Sequence, residues 1–181
     1  DNTAIYNPVI TVRTKDACPH SQTPFPPDCS NIVFANRKYD LSNLQSLGVQ
    51  ETRGSSTSYY YDYRWFVCGD QAQTCGTATD SCAVCSAFEG RWHDPSFTAC
   101  EGKYSESSVK ISEHTSSGVK FDFAGGDMGS VSEIILACDP RYSGLEQVFV
   151  DNTDVNRPSI FVRTRDACPQ TIEEQETKNV V

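Results

Sequence analysis

Apolar and polar residues alternate along most of the chain. The period of two is plain in Ser58-Tyr59-Tyr60-Tyr61-Asp62-Tyr63-Arg64-Trp65-Phe66-Val67-Cys68, in Ser108-Val109-Lys110-Ile111-Ser112 and in Val119-Lys120-Phe121-Asp122-Phe123. Such alternation sends side chains by turns to a core and to solvent, as in half-buried β-strands. Ser132-Glu133-Ile134-Ile135-Leu136-Ala137-Cys138 is more continuously apolar and predicts a more central strand. Turn residues separate the runs: Glu89-Gly90, Ser116-Ser117-Gly118, Ala124-Gly125-Gly126-Asp127, Asp139-Pro140 and Ser143-Gly144. Only Leu41 to Leu47 carries a helical spacing, so the pattern predicts an all-β class, a sandwich or flattened barrel.

The aromatic run has two readings. On a strand, Tyr59, Tyr61, Tyr63 and Trp65 share one face while Tyr60 and Phe66 point to the other. In one reading these rings pack across strands inside the core. In the other, Tyr59, Tyr61, Tyr63 and Trp65 form an interface to a neighbouring module or protein ligand, since Tyr and Trp are enriched at binding hot spots.

An internal repeat carries more information than any single strand. Residues 1–19 align without gaps on residues 151–169, with 12 of 19 positions identical at an offset of 150 residues. This predicts a tandem array in which residues 1–19 are the final strand of a preceding repeat and residues 151–169 the final strand of the next. The other reading makes residues 1–19 an N-terminal arm that inserts into a neighbouring subunit. Residues 20–28, which include Pro24, Pro26 and Pro27, then read as a stiff linker, and residues 170–181 as a polar linker or tail.

Charge and cysteine content narrow the function. The chain carries 15 Lys+Arg against 24 Asp+Glu, a formal charge of −9, with no basic run, which argues against nucleic-acid or anionic-membrane binding. No apolar window is long enough to span a membrane, and Asp1-Asn2-Thr3 does not open a signal peptide, so the sequence reads as a mature chain or an excerpt. Nine cysteines at irregular spacing point to structural disulfides in an oxidising compartment, extracellular or in the secretory or endolysosomal lumen. Cys82-Ala-Val-Cys85 is a CxxC, but no helical periodicity follows it, as a redox motif would require. Nine is odd, and assigning Cys18 to the preceding repeat as an inter-repeat cysteine leaves eight that can pair; alternatively Cys18 is free or intermolecular.

Other chemistry is sparse. His20, His93 and His114 are too scattered for a metal site. No GxSxG elbow supports a nucleophilic serine, and Asp139, Asp151 and Asp154 lack calcium-loop spacing. No catalytic residue, metal or cofactor is therefore expected. No Asn-x-Ser/Thr sequon occurs, while Ser55–Ser58 and the Thr23-Pro24 region could carry O-linked sugar.

From Cys29 to Pro169 the sequence resembles the mannose 6-phosphate receptor homology domain, the flattened β-barrel module of P-type lectins. The resemblance rests on Cys29, Tyr39-Asp40-Leu41-Ser42-Asn43-Leu44, Tyr61 to Gly69 ending in Val67-Cys68-Gly69, Cys75, Ala83-Val84-Cys85, Gly125-Gly126-Asp127, Cys138 and Phe161 to Pro169. It implies disulfides Cys29–Cys68, Cys75–Cys85 and Cys138–Cys168. Cys82 and Cys100 are left over and are paired as an addition peculiar to this chain, with the connectivity among Cys75, Cys82, Cys85 and Cys100 open. The longer loops so closed, of roughly 30 to 40 residues, each gain about 3 to 4 kcal/mol in the chain-entropy model.

The resemblance also implies a mannose site built from Gln, Arg, Glu and Tyr, but here those positions are degenerate. The Gln and Arg fall on Ser86 and Ser130, the Tyr on Pro158, and Glu146 is the nearest candidate for the Glu. Serine cannot replace a bidentate guanidinium or an amide without loss of the hydrogen bonds that fix a sugar. A further family disulfide is missing as a unit, its places holding Met128 and roughly Asn156. The sequence thus predicts a non-catalytic repeat module for protein association, a structural unit of a tandem array or filament whose partners are neighbouring copies or another extracellular protein. The alternatives are a non-lectin ligand-binding or spacer domain of a multidomain sorting receptor and a mannose-type lectin.

Overall fold

The alternating runs pair into antiparallel ladders, and their apolar sides supply one core. The structure, a computed structural model, describes residues 25–54, 61–69, 73–76, 81–88, 97–115 and 117–171. Cys18, the repeat at residues 1–19, Tyr59, His20, His93, Ser55–Ser58, Glu89-Gly90 and most of the 170–181 tail lie outside the described residues. The elements in chain order are β1 (Ile32–Phe34), β2 (Arg37–Tyr39), α1 (Ser42–Ser46), β3 (Gln50–Arg53), β4 (Tyr61–Trp65), β5 (Cys82–Phe88), β6 (Ala99–Lys103), β7 (Val109–Glu113), β8 (Gly118–Phe123), β9 (Ser132–Cys138), β10 (Gln147–Asp151), β11 (Ser159–Thr164) and β12 (Gln170–Thr171).

They form a five-stranded sheet in the order β10-β11-β9-β8-β7, a four-stranded sheet β3-β4-β5-β6 and a small sheet β1-β2-β12. All pairs are antiparallel except β9 and β11, which run parallel with Ser159 opposite Glu133 and Thr164 opposite Cys138. β9, the most apolar run, lies in the middle of its sheet. The fold is a disulfide-stabilised, all-β flattened sandwich; among the described residues no hydrogen-bonded ladder closes the two larger sheets into a barrel.

The main core takes Val119, Phe121 and Phe123 from β8, Ile134 and Leu136 from β9, and Ile160 and Val162 from β11. These meet Tyr63, Trp65 and Val84 of the smaller sheet and Tyr39, Leu41 and Leu44 around α1. A second cluster of Cys75, Cys82, Cys85, Ala87, Phe97 and Cys100 covers part of the four-stranded sheet. Register shifts between Cys82 and Cys85 break the alternation of β5, so Ala83 and Val84 both reach the main core. The disulfides are Cys29–Cys68, Cys75–Cys85, Cys82–Cys100 and Cys138–Cys168. The two cysteines of the CxxC therefore have different partners, and both lie on β5.

Two expectations are corrected. Residues 151–169 are not one strand: they hold the end of β10, a turn over 152–158, β11 and a short 3-10 turn at Arg165–Ala167. The turn is set by side chains, since Asp151 Oδ1 accepts from the Thr153 backbone N–H and hydroxyl, and Asp154 Oδ1 from the Asn156 N–H. The aromatic interface also fails at its centre. Tyr63 and Trp65 are fully buried, because β4 lies between β3 and β5 with this face toward the core, and only Tyr61 is half-buried. Phe66 is buried as well, beyond the end of β4, with its ring edge-on to Tyr104 at 4.8 Å.

Candidate functional site

Cross-strand register assembles a buried polar cluster inside the sandwich. Tyr63 on β4 pairs with Ser86 on β5, and Ser86 pairs with Ala99 on β6, next to Cys100 and Glu101. The Ser86 hydroxyl donates to Glu101 Oε1 at 2.5 Å, with Ser86 2% and Glu101 6% exposed. Ser130 faces the same carboxyl from the loop after β8, while Oε2 meets no partner in hydrogen-bonding geometry. Burial pushes the Glu101 pKa up; Ser86 and Ser130 pull it back, and the Asp127 carboxylate raises it further. The Asn152 side chain reaches the Tyr63 hydroxyl, and burial keeps that phenol protonated.

Ser86 and Ser130, two positions onto which the resemblance would map sugar-binding residues, thus converge on one buried carboxyl. Pro158 lies at the same end of the sheet, where its carbonyl accepts from Glu133 N–H, but Glu146 does not join them. It precedes β10 at the opposite end of the β10–β11 pair and accepts from the Ser143 hydroxyl. The carboxyl actually present, Glu101, was missed because one acid within Ala99-Cys100-Glu101-Gly102-Lys103 reads as a solvated residue. The loops that hold Met128 and Asn156 are joined by a backbone bond, in which Val131 N–H donates to the Asn156 carbonyl at 3.0 Å. Met128 stands 99% exposed at the tip of the first loop, with a left-handed φ of 52°.

A cleft of about 580 Å3 opens on the outer face of the five-stranded sheet at this same end. Its floor is a row in strict register, Asp151, Ser159, Glu133, Asp122 and Lys110, one residue from each strand. Its walls come from Ser107 and Ser108, from Ala124 and Val131 of the Met128 loop, and from Thr153, Asp154, Arg157 and Pro158 of the β10–β11 turn. Lys120 bridges Asp122 at 2.9 Å and Glu133 at 2.6 Å. Burial pushes the Glu133 carboxyl up, but Lys120, the Ser159 hydroxyl and nearby Arg157 outweigh it and hold it below its ordinary value. Lys110 and Arg157 make no ion pair among the described residues. No local pattern announces this cleft, since its floor is spread over residues 110 to 159.

Other candidates resolve into packing. The sulfurs of Cys75, Cys82 and Cys100 lie within 4.8 Å of one another, but each is spent in a disulfide and offers no thiolate to a metal. His114 packs its ring against Phe161, centroids 6.3 Å apart. Asp139 is held by Arg141, which lowers its carboxyl to about 2.

No protein-family model and no curated protein sequence matches the chain. Among solved structures, the chain is similar to domain 11 of the echidna mannose 6-phosphate/IGF2R receptor, with a TM-score of 0.54 and 19% identity over 79% of this chain and 96% of that one. Chicken IGF2R domain 11 aligns at a TM-score of 0.47 and 19% identity, over 77% of this chain and 95% of that one. At such identity the likeness is one of architecture, and with the motifs between Cys29 and Pro169 it gives the chain the fold of the mannose 6-phosphate receptor homology domain.

Proposed function

We propose that this is a non-catalytic, non-lectin domain of a secreted or lumenal protein that carries at least one more copy of the fold, and that it works by binding protein through a surface peculiar to this copy. The observation that carries the proposal is how the repeat divides when laid on residues 151–169. All six buried residues there, Asn152, Pro158, Ile160, Val162, Thr164 and Ala167, are identical in residues 1–19. The other identities include Asp151 and Thr153, which form the turn, Asp166, which accepts from Gly144 N–H at 2.8 Å, and Cys168, which is in a disulfide. None of the seven differing positions is buried. Selection to keep one fold leaves this pattern.

The buried identities therefore speak for a shared interior, which needs no shared contact between copies. A filament of equivalent contacts needs matching surfaces, yet Asp154, Arg157 and Ser159, which line the cleft, correspond to Ala4, Asn7 and Val9. Divergence at the rim of a cleft favours a multidomain, receptor-like chain over an array. The echidna neighbour is itself a numbered domain of a receptor. Loss of the Gln, Arg and Tyr positions, with Ser86 and Ser130 turned onto Glu101, speaks against mannose recognition.

The test is amine cross-linking of the native full-length protein followed by peptide mass spectrometry. Cross-links from Lys110 to a different protein are expected, and they disappear when Asp154, Arg157 and Ser159 are replaced by Ala, Asn and Val. Asp154 and Arg157 are exposed and Ser159 is half-buried, so these substitutions should change stability by no more than about 1 kcal/mol. Cross-links that run only between copies of the same chain would restore the array. Saturable binding of mannose or mannose 6-phosphate on a glycan array would restore the lectin.

A further inference from the structure

The loop that walls the cleft is seated on the buried carboxyl. Gly126 lies against the backbone of Cys100 and Glu101 so closely that any side chain there would collide with it. Asp127 Oδ2 accepts from Cys100 N–H at 2.8 Å, and Lys103 N–H donates to the Ala124 carbonyl at 3.0 Å. Within the loop, Gly126 N–H bonds the Ser130 carbonyl and Ser130 N–H the Asp127 carbonyl, so residues 126–130 are tied into one compact unit. That unit presents Ser130 to Glu101, lifts Met128 into solvent, and continues into Val131 of the cleft wall.

We propose that residues 124–131 are a proton-operated latch, seated on β6 when Glu101 is protonated and loosened when Glu101 ionises. The groups facing the carboxyl are Ser86 from β5, Tyr63 from β4, and Ser130 and Asp127 from the loop itself. None of them is a cation. A charge formed there is opposed by low dielectric and by Asp127, and the part of its surroundings that can yield is the loop, which is held by hydrogen bonds and by the contact of Gly126 with β6 and contains no disulfide. Its release carries away Asp127, lets water reach Oε2 and moves Ala124 and Val131 at the cleft. The sign follows from the raised pKa: the seated loop is fully favoured below the ordinary glutamate range, and this contribution is lost as pH rises through the raised value. The latch regulates the cleft of the proposed function, but its loop motion is read without any ligand.

Amide exchange measured on the folded domain between pH 4.5 and 7.5, corrected for intrinsic rates, tests it. Protection at Cys100, Gly129, Ser130 and Val131 is expected to fall about tenfold for each pH unit by which the Glu101 pKa is raised in the seated state. Glu101→Gln should hold protection near its acidic level throughout. Asp127→Asn removes the neighbouring charge and should move the transition to lower pH, which keeps the proposal testable if the first variant folds poorly. A wild-type profile flat across the range, or one that Glu101→Gln leaves unchanged, would overturn it. The cross-linking result and this profile fail independently, because one reads a partner and the other only the loop.

Discussion

Replacing Trp65 with alanine is expected to lower the stability of the domain by about 3 to 5 kcal/mol, the range for deleting a large buried aromatic. The indole is fully buried, and its N–H donates to the Thr52 hydroxyl across the β3–β4 pair at 3.1 Å. Truncation opens a cavity between the sheets and leaves Thr52 without that partner, whereas Trp65→Phe keeps most of the volume and should cost clearly less. Denaturant unfolding with the disulfides intact gives the number. A loss below about 1 kcal/mol would mean that this face of β4 is not core, and would return Trp65 to the interface reading.

Removing the Cys29–Cys68 disulfide has a comparable expected effect. It spans 39 residues, and releasing a loop of that length from the unfolded chain costs about 4 kcal/mol in the chain-entropy model. Alanine at both positions is the cleaner change, since both sulfurs are buried and serine would bury two hydroxyls. Against a typical total of about 5 to 15 kcal/mol, the double variant should melt far below the parent. An unchanged melting temperature would show that the denatured chain is already compact in this region, so that the cross-link restrains little.

Much of the fold was legible because its strands keep a clean period of two. Val119 to Phe123 matches β8, Ser132 to Cys138 is β9 residue for residue, and Leu41 to Leu47 contains α1 with Leu44 buried. What alternation cannot say is which face meets the core. For Tyr61, Tyr63 and Trp65 that was decided by the sheet packed opposite, and for β5 by a bulge that changes the phase. The 151–169 segment looked like one strand because the turn at 152–158 is built by Asp and Thr side chains, without a glycine.

The functional features were less legible, for a physical reason. Glu101 is buried by a loop whose Asp127 reaches back across 27 residues of sequence to Cys100, and nothing in its own neighbours announces that. The cleft takes one floor residue from each of five strands, so it exists only after register is set. The repeat was visible at once, but which of its positions are buried was not. All six buried positions of residues 151–169 are identical in residues 1–19, and so are the exposed Asp151, Thr153 and Arg163.

The claim most exposed to test is that residues 1–19 close a preceding domain of the same fold. Cys18 stands where Cys168 stands in the repeat, and Cys168 is bonded to Cys138. Mass spectrometry of non-reduced peptides from the native full-length protein should find Cys18 bonded to a cysteine outside residues 29–168 of the same chain, with the other eight paired as in this structure. A free thiol at Cys18, a bond from it to any of those eight, or a bridge to Cys18 of a second chain would contradict the account and make residues 1–19 an arm.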